Sequence, residues 1–330
     1  MKISSSGLLS ADGAPLPAIL EFPDSVLRGI GQVMLQNNSW TGLLFLIGIF
    51  CNSTLFGLGA LAGAAVSTAT AMVLGADRSR VRAGMFGFNG ALVAIALLYF
   101  LEPDALTWTC VVFASLCSSI VMAAMLRLLQ FWQIPVLTAP FVLTSMCFFL
   151  AIARFGRLHS THLLPTAGLP ASATVEGIVT ASTVAQGLFN GIAQVCFQGS
   201  VVTGILFALG LLVSSRRACA AALLGSLTGL VVAWGMGAAE PAIRAGAFGF
   251  NSVLTAIALW SVFLRPGAHS LAYGAVATIA TAVAFAAISA ALEPLGIPAL
   301  TLPFVLVVWV FVLAAAHFPR VRAAVIQPGA

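Results

Sequence analysis

Three short motifs place polar groups inside otherwise apolar runs, and each motif occurs twice. Thr138 lies between Pro135 and Pro140 in IPVLTAPFVL, and Thr301 lies between Pro298 and Pro303 in IPALTLPFVL, with eight of ten positions identical. Asn89 and Asn251 belong to RAGMFGFNGALVAIAL (82–97) and RAGAFGFNSVLTAIAL (244–259), with twelve of sixteen identical. Gln32 and Gln194 belong to GIGQVMLQ (29–36) and GIAQVCFQ (191–198), with five of eight identical. The motifs keep their order in both halves, so a unit of about 160 residues is written twice, far too long for a solenoid repeat.

Each motif has a chemistry. Pro135, Pro140, Pro298 and Pro303 remove backbone donors and interrupt a helix. Carbonyls freed at such a break are expensive against lipid and tolerable only where they line a wet passage. Thr138 and Thr301 add one hydroxyl each to that row of acceptors. Asn89 and Asn251 stand in long apolar runs and must be bonded there, holding unwound backbone in place. Phe88, Leu92, Phe250 and Leu254 follow on the same segments and supply flat apolar walls. Gln32 and Gln194 precede the first long run of each half, on a stretch too short to span. Near the N-terminus of a half-helix, a glutamine amide can read a neutral polar solute without holding an ion tightly.

The elements that must position these groups are membrane helices. Hydrophobic residues make up 61% of the chain and charged residues 7%, against roughly 25% charged in a soluble domain. Most of the surface must therefore face lipid. Apolar runs at 40–56, 58–75, 83–101, 106–126 and 135–153 are matched by runs at 200–214, 217–238, 244–264, 268–290 and 297–317. The expected organisation is a tail at 1–23, a first repeat at 24–153, a linker at 154–185, a second repeat at 186–318 and a tail at 319–330. The fold class is an all-α integral membrane protein of two repeats, each with five transmembrane helices and one re-entrant half-helix, ten spans in total. Five is odd, so the repeats should have inverted topology. With the 76–82 loop inside, eleven Lys and Arg fall on the cytoplasmic side and three on the other, which places both termini in the cytoplasm. The first 22 residues lack a basic head followed by an apolar core, so no cleavable signal peptide is expected.

The exclusions are equally informative. No Asp, Glu, Lys or Arg stands near the middle of an apolar run, where proton-coupled transporters carry ionisable relays. The four histidines lie in loops or at span ends, the six cysteines lack metal-ligand spacing, and no phosphate-binding glycine loop is present. This speaks against a proton pump, an ATPase, an intramembrane hydrolase or any other enzyme. No cofactor, metal or nucleic-acid partner is expected, and the net charge of +5 is loop charge that sets orientation. Passive passage of an uncharged solute fits best. Sodium coupling through carbonyls and hydroxyls stays open as a secondary active alternative. A scaffold or receptor does not explain paired broken helices.

Taken together, the motifs resemble those of the urea transporter family, here a bacterial member, over about Gly29 to His317. The resemblance implies homotrimers in the plasma membrane (the inner membrane of a Gram-negative bacterium), with one pore inside each protomer. It implies passive, channel-like urea transport through a narrow slot between apolar walls and ladders of oxygens. By motif position, Gln32 and Gln194 mark half-helix starts beside the two solute sites, followed by Val33 and Val195. Leu35 and Phe197 are further slot residues, Leu92 and Leu254 are wall leucines, and Thr138 and Thr301 form the central constriction. Two departures stand out. Some bacterial members carry a carboxylate at the position of Gln194, and an aromatic is common at that of Leu35. Short amides, ammonia and water remain alternative solutes.

Overall fold

In a computed structural model, residues 18–170 and 174–324 are described. Among them every extended element is helical. The first half contains α1 (Ala18–Gln32), α2 (Ser39–Asn52), α3 (Thr54–Val73), α4 (Arg78–Arg82), α5 (Gly87–Phe100), α6 (Ala105–Leu129) and α7 (Ala139–Ile152). The second half repeats them as α8 (Ala181–Ala193), α9 (Val201–Ser214), α10 (Arg216–Gly235), α11 (Glu240–Arg244), α12 (Gly249–Ile257), α13 (Ala268–Leu292) and α14 (Leu302–Ala315). Five helical stretches among the described residues are long and apolar enough to cross a membrane, and α8 with α9 forms a sixth candidate bent by 74°. Large apolar side chains such as Val112, Phe113, Ile120, Val202 and Val276 are exposed on the outer surface, as lipid contact requires.

The sequence pattern missed several boundaries. The short helices start at Ala18 and Ala181, earlier than the expected 24 and 186. The break expected near 57 falls at Ser53, whose side chain accepts from the Phe56 amide and starts α3. Ser215 does the same for α10. Hydropathy does not register a serine N-cap, because the apolar run continues through it. The runs at 83–101 and 244–264 are each entered through a separate five-residue helix, α4 or α11. Of the tails expected at 1–23 and 319–330, residues 1–17 and 325–330 lie outside the described residues, while 18–23 belong to α1.

The duplication extends to backbone conformation. Leu35 and Phe197, Leu137 and Leu300, Gly84 and Gly246, and Gly75 and Gly237 are mated pairs, and all have positive φ. At Gly84 and Gly246 a Cβ would meet the amide nitrogen of Gly29 or Gly191 at 2.4 and 2.3 Å. Here the turn before α5 or α12 crosses the short helix backbone to backbone, and only glycine fits. One residue breaks the register. The first two motif pairs are 162 apart and the last is 163 apart. The extra residue is absorbed at Ala258–Phe263, a π-helical turn where the first half has regular α-helix. A single insertion into a helix produces such a turn. Beyond it the offset is 163: Leu101 bridges Ser160 and Leu264 bridges Ala323.

The halves meet through reciprocal contacts. Thr41 donates to the Gly210 carbonyl at 2.8 Å, and its mate Thr203 donates to the carbonyl of Gly48, the mate of Gly210, at 2.9 Å. Phe45 packs on its own mate Phe207 with ring centroids 4.7 Å apart. Such i-to-j and j-to-i contacts are those a two-fold rotation generates.

A charged latch ties each short helix to the five-residue helix. In the first half Glu21, in the first turn of α1 and only 3% exposed, accepts paired bonds from Arg78 and Arg82 at 2.9–3.1 Å. In the second half Thr183 takes the position of Glu21 and donates to Glu240, the mate of Arg78, which also pairs with Arg244, the mate of Arg82. The carboxylate has changed helix while the latch is kept. The hydrogen bonds from Arg82 and Arg78, against the cost of burial, hold the Glu21 carboxyl down from its ordinary 4.5 to about 2. A depressed carboxylate stabilises fully above its unfolded value and loses that contribution as pH falls through the folded one. Glu21→Gln should therefore lower thermal stability in detergent by on the order of 1–2 kcal/mol near neutral pH, the arginine ends being solvent-screened. The difference from wild type should be flat above pH 4.5 and shrink as pH falls toward 2. A constant gap down to the lowest pH would contradict the latch.

Candidate functional site

The two helices that start within the IPxLTxPF motifs begin inside the protein. Each starts with a threonine at the N-cap and a proline in the first turn. Such a start leaves amides needing partners in a water-poor place. Those of the three residues after each threonine are accounted for one by one. In α7 the Ala139 amide turns back to the Val136 carbonyl at 3.4 Å, Pro140 has no N–H, and the Phe141 amide donates to Asn89 Oδ1 at 3.0 Å. In α14 the Leu302 amide reaches the Ala299 carbonyl at 3.1 Å, Pro303 has no N–H, and the Phe304 amide donates to Asn251 Oδ1 at 3.2 Å. The asparagines are N-caps supplied by α5 and α12. Asn89 and Asn251 are 0% and 1% exposed. The backbone that each of them holds is a helix start.

Because asparagine does the capping, the threonine hydroxyls are free for something else. Neither Thr138 nor Thr301 makes a side-chain cap bond. Their Oγ1 atoms instead face each other at 2.6 Å, buried, from mated positions in the two halves. Leu137 and Leu300, just before them, are held at φ 55° and 52°. Leucine in the left-handed region costs on the order of 1–2 kcal/mol. That strain sets the direction in which each threonine leaves the turn.

The side chains expected to form walls are apolar. Phe88, Leu92 and Leu254 are buried, with Val33 and Val195. Phe197, at φ 60°, joins an aromatic cluster with Tyr99 at 5.4 Å, Phe100 at 5.8 Å and Phe141 at 6.3 Å. Phe250 lies edge-on to Phe285 of α13 at 5.4 Å and does not join that cluster. Leu35, at φ 61°, occupies the same backbone position as Phe197 without a ring.

Two expectations are corrected. Gln32 and Gln194 stand at the C-terminal ends of α1 and α8, not at helix starts. There the partial charge is negative, so no N-terminal dipole argument applies. The Gln32 amide donates to the Ala83 carbonyl at 2.9 Å, beside the Gly84 crossing. The acceptor row at the proline breaks is also shorter than expected. The Pro135 carbonyl is taken by the Trp309 indole N–H at 2.8 Å and the Leu300 carbonyl by Asn251 Nδ2 at 3.1 Å. Pro135 and Pro298 lie in the connectors, while Pro140 and Pro303 start helices rather than break them.

Sequence reading left some contributors without a role. Trp309 and the Tyr99–Phe100 pair carry no motif of their own. Phe141 does lie inside the IPxLTxPF box, and its recurrence as Phe304 was the available signal. A buried serine cluster, Ser67 with Ser119 at 2.6 Å and with the Phe86 carbonyl at 2.6 Å, ties α3, α5 and α6 together. This is how polar side chains join helices in lipid.

Fold and site define an all-helical membrane transport protein in which two helices begin at a buried, uncharged polar pair. The chain belongs to the urea transporter family, whose model, described as Urea transporter, matches residues 23–316. It is similar to Urea transporter 1 of Ovis aries, of Capra hircus and of Rattus norvegicus, at 29% identity over 317 residues in each case. These alignments cover 92% of this chain and 80% of each relative. Membership makes the protein a transporter and not an enzyme.

Replacing Asn89 or Asn251 by Leu should leave one helix-start amide unpaired and lower stability by about 1–3 kcal/mol. Thermal unfolding in detergent measures it. An unchanged melting temperature for both variants would mean that the asparagines do not carry the caps.

Proposed function

We infer that the protein conducts urea passively down its concentration gradient, through one narrow pore per protomer with the Thr138–Thr301 pair at its constriction. The observation that carries this reading is that pair: two neutral hydroxyls 2.6 Å apart, buried, in mated positions and released from capping. Urea is planar and neutral, with four N–H donors and one carbonyl acceptor. Hydroxyls and carbonyls can exchange for its water one bond at a time. An ion at the same point would lose its hydration with no opposite charge to replace it. Family membership and the Urea transporter 1 relatives support urea as the solute.

In this reading Val33, Leu35, Phe88 and Leu92 wall the slot on one side of the constriction, and Val195, Phe197, Phe250 and Leu254 wall it on the other. Gln32 and Gln194 stand at the mouths, Gln32 through its hold on the Ala83 carbonyl. The two repeats, 24–153 and 186–318 joined by 154–185, lie in the membrane with inverted topology and ten spans. The reciprocal contacts, the odd number of apolar runs per half and the charge asymmetry of the loops support that arrangement. Helices of 14 residues such as α2 and α7 reach only about 21 Å, so their connectors complete the crossing. Homotrimers in the plasma membrane with cytoplasmic termini complete the reading, by resemblance.

Stopped-flow light scattering on proteoliposomes tests it. Urea entry should exceed that of empty liposomes and stay the same with or without a sodium or proton gradient. Gradient-dependent uptake would establish a coupled transporter. Absence of urea flux with verified insertion, alongside rapid entry of acetamide or formamide, would establish a different amide channel.

A further inference from the structure

Ser145 lies on α7, seven residues beyond Thr138 and therefore on the same helix face. It is 0% exposed, and among the described residues its Oγ has no hydrogen-bond partner. A helical serine ordinarily bonds back to the carbonyl four residues earlier, but this one does not. Its neighbours one turn away show where it faces. Phe141, four residues before, meets Phe197 at 6.3 Å, and Phe149, four residues after, meets Phe100 at 5.2 Å. Phe100 in turn meets Phe197 at 5.8 Å. Ser145 thus sits on the stripe that packs against the aromatic cluster around Phe197.

The second half has no counterpart. The mate of Ser145 is Val308, also 0% exposed. The equivalent place in the fold accepts an aliphatic side chain, so packing does not call for a hydroxyl there. A buried hydroxyl without a partner lowers stability. The adjacent Thr144 is a natural control. It is buried, its hydroxyl is equally without a partner, and its mate is Val307. Its face is different: one turn on stands Phe148, which packs on the exposed Phe113 of α6 at 6.4 Å, away from Phe197.

We propose that the Ser145 hydroxyl is a hydrogen-bonding station for the permeating amide, present on the Phe197 side of the Thr138–Thr301 pair and absent from the other. The proposal rests on the urea-conduction reading. A hydroxyl both donates to a carbonyl oxygen and accepts from N–H, so it suits a solute with both groups. The partner missing in the empty protein arrives with the solute. The pore is then chemically lopsided although its frame is two-fold.

The test pairs two readouts on Ser145→Ala and Thr144→Val: melting temperature in detergent and urea flux in proteoliposomes at matched protein density. Both variants should melt at or above wild type, by about 1–2 °C. Ser145→Ala should carry urea about fivefold more slowly, equivalent to about 1 kcal/mol of lost hydrogen bonding. Thr144→Val should conduct like wild type. Wild-type flux in Ser145→Ala would overturn the proposal and leave a plain buried defect. A lowered melting temperature in Ser145→Ala would overturn it by showing that the hydroxyl has a protein partner. Should the alanine variant not fold, Ser145→Val, matching its mate, takes its place. A wild-type protein that carries no urea would sink the conduction reading itself, and that failure is recognised because it occurs without any substitution.

Discussion

A helix that begins inside a membrane protein must satisfy its first amides without water, and that requirement shapes the centre of this molecule. A threonine at the N-cap would ordinarily meet it with its own hydroxyl. Here Asn89 and Asn251 reach across from neighbouring helices and accept from the Phe141 and Phe304 amides. A proline removes one donor in each first turn, and a back-bond to the preceding connector takes another. With the amides of the first turn held in this way, the hydroxyls of Thr138 and Thr301 are left to face each other. The polarity at the centre is therefore a consequence of capping geometry, and it carries no charge.

The duplication explains why one pair suffices. A two-fold rotation can bring a residue against its own mate only on the rotation axis. Phe45 with Phe207 and Thr138 with Thr301 are two such self-pairs, one apolar and one polar, and they fix the line between the halves. Departures from symmetry are local and have physical causes. The single residue inserted before Leu264 is absorbed in one π-turn, and the latch carboxylate moves from α1 to α11. Among the described residues of the first half, three buried hydroxyls without a partner, Thr68, Thr144 and Ser145, are matched by Leu230, Val307 and Val308 in the second.

The repeat, the all-helical class and the polar pairs were legible because they are written in residue identity. The change of offset from 162 to 163 was legible too, and it marks the π-turn. What was not legible depends on direction. The glutamine motif places Gln32 and Gln194 in a short helix without saying which end they occupy, and they stand at the C-terminal ends. Serine caps at Ser53 and Ser215 interrupt runs that hydropathy reads as nearly continuous. The capture of the Pro135 carbonyl by Trp309 joins residues 174 apart in sequence, from different helices, and no local pattern announces it.

The most direct measurement is urea flux through Thr138→Val, Thr301→Val and the double variant, in proteoliposomes with insertion verified. Two hydroxyls that act as one unit give non-additive losses, because either substitution already breaks the shared bond. Each single variant should lose flux about tenfold, the double variant should lose little more, and insertion should be unchanged. Wild-type flux in the double variant, or losses that simply multiply, would contradict a shared hydroxyl constriction at the centre of the pore.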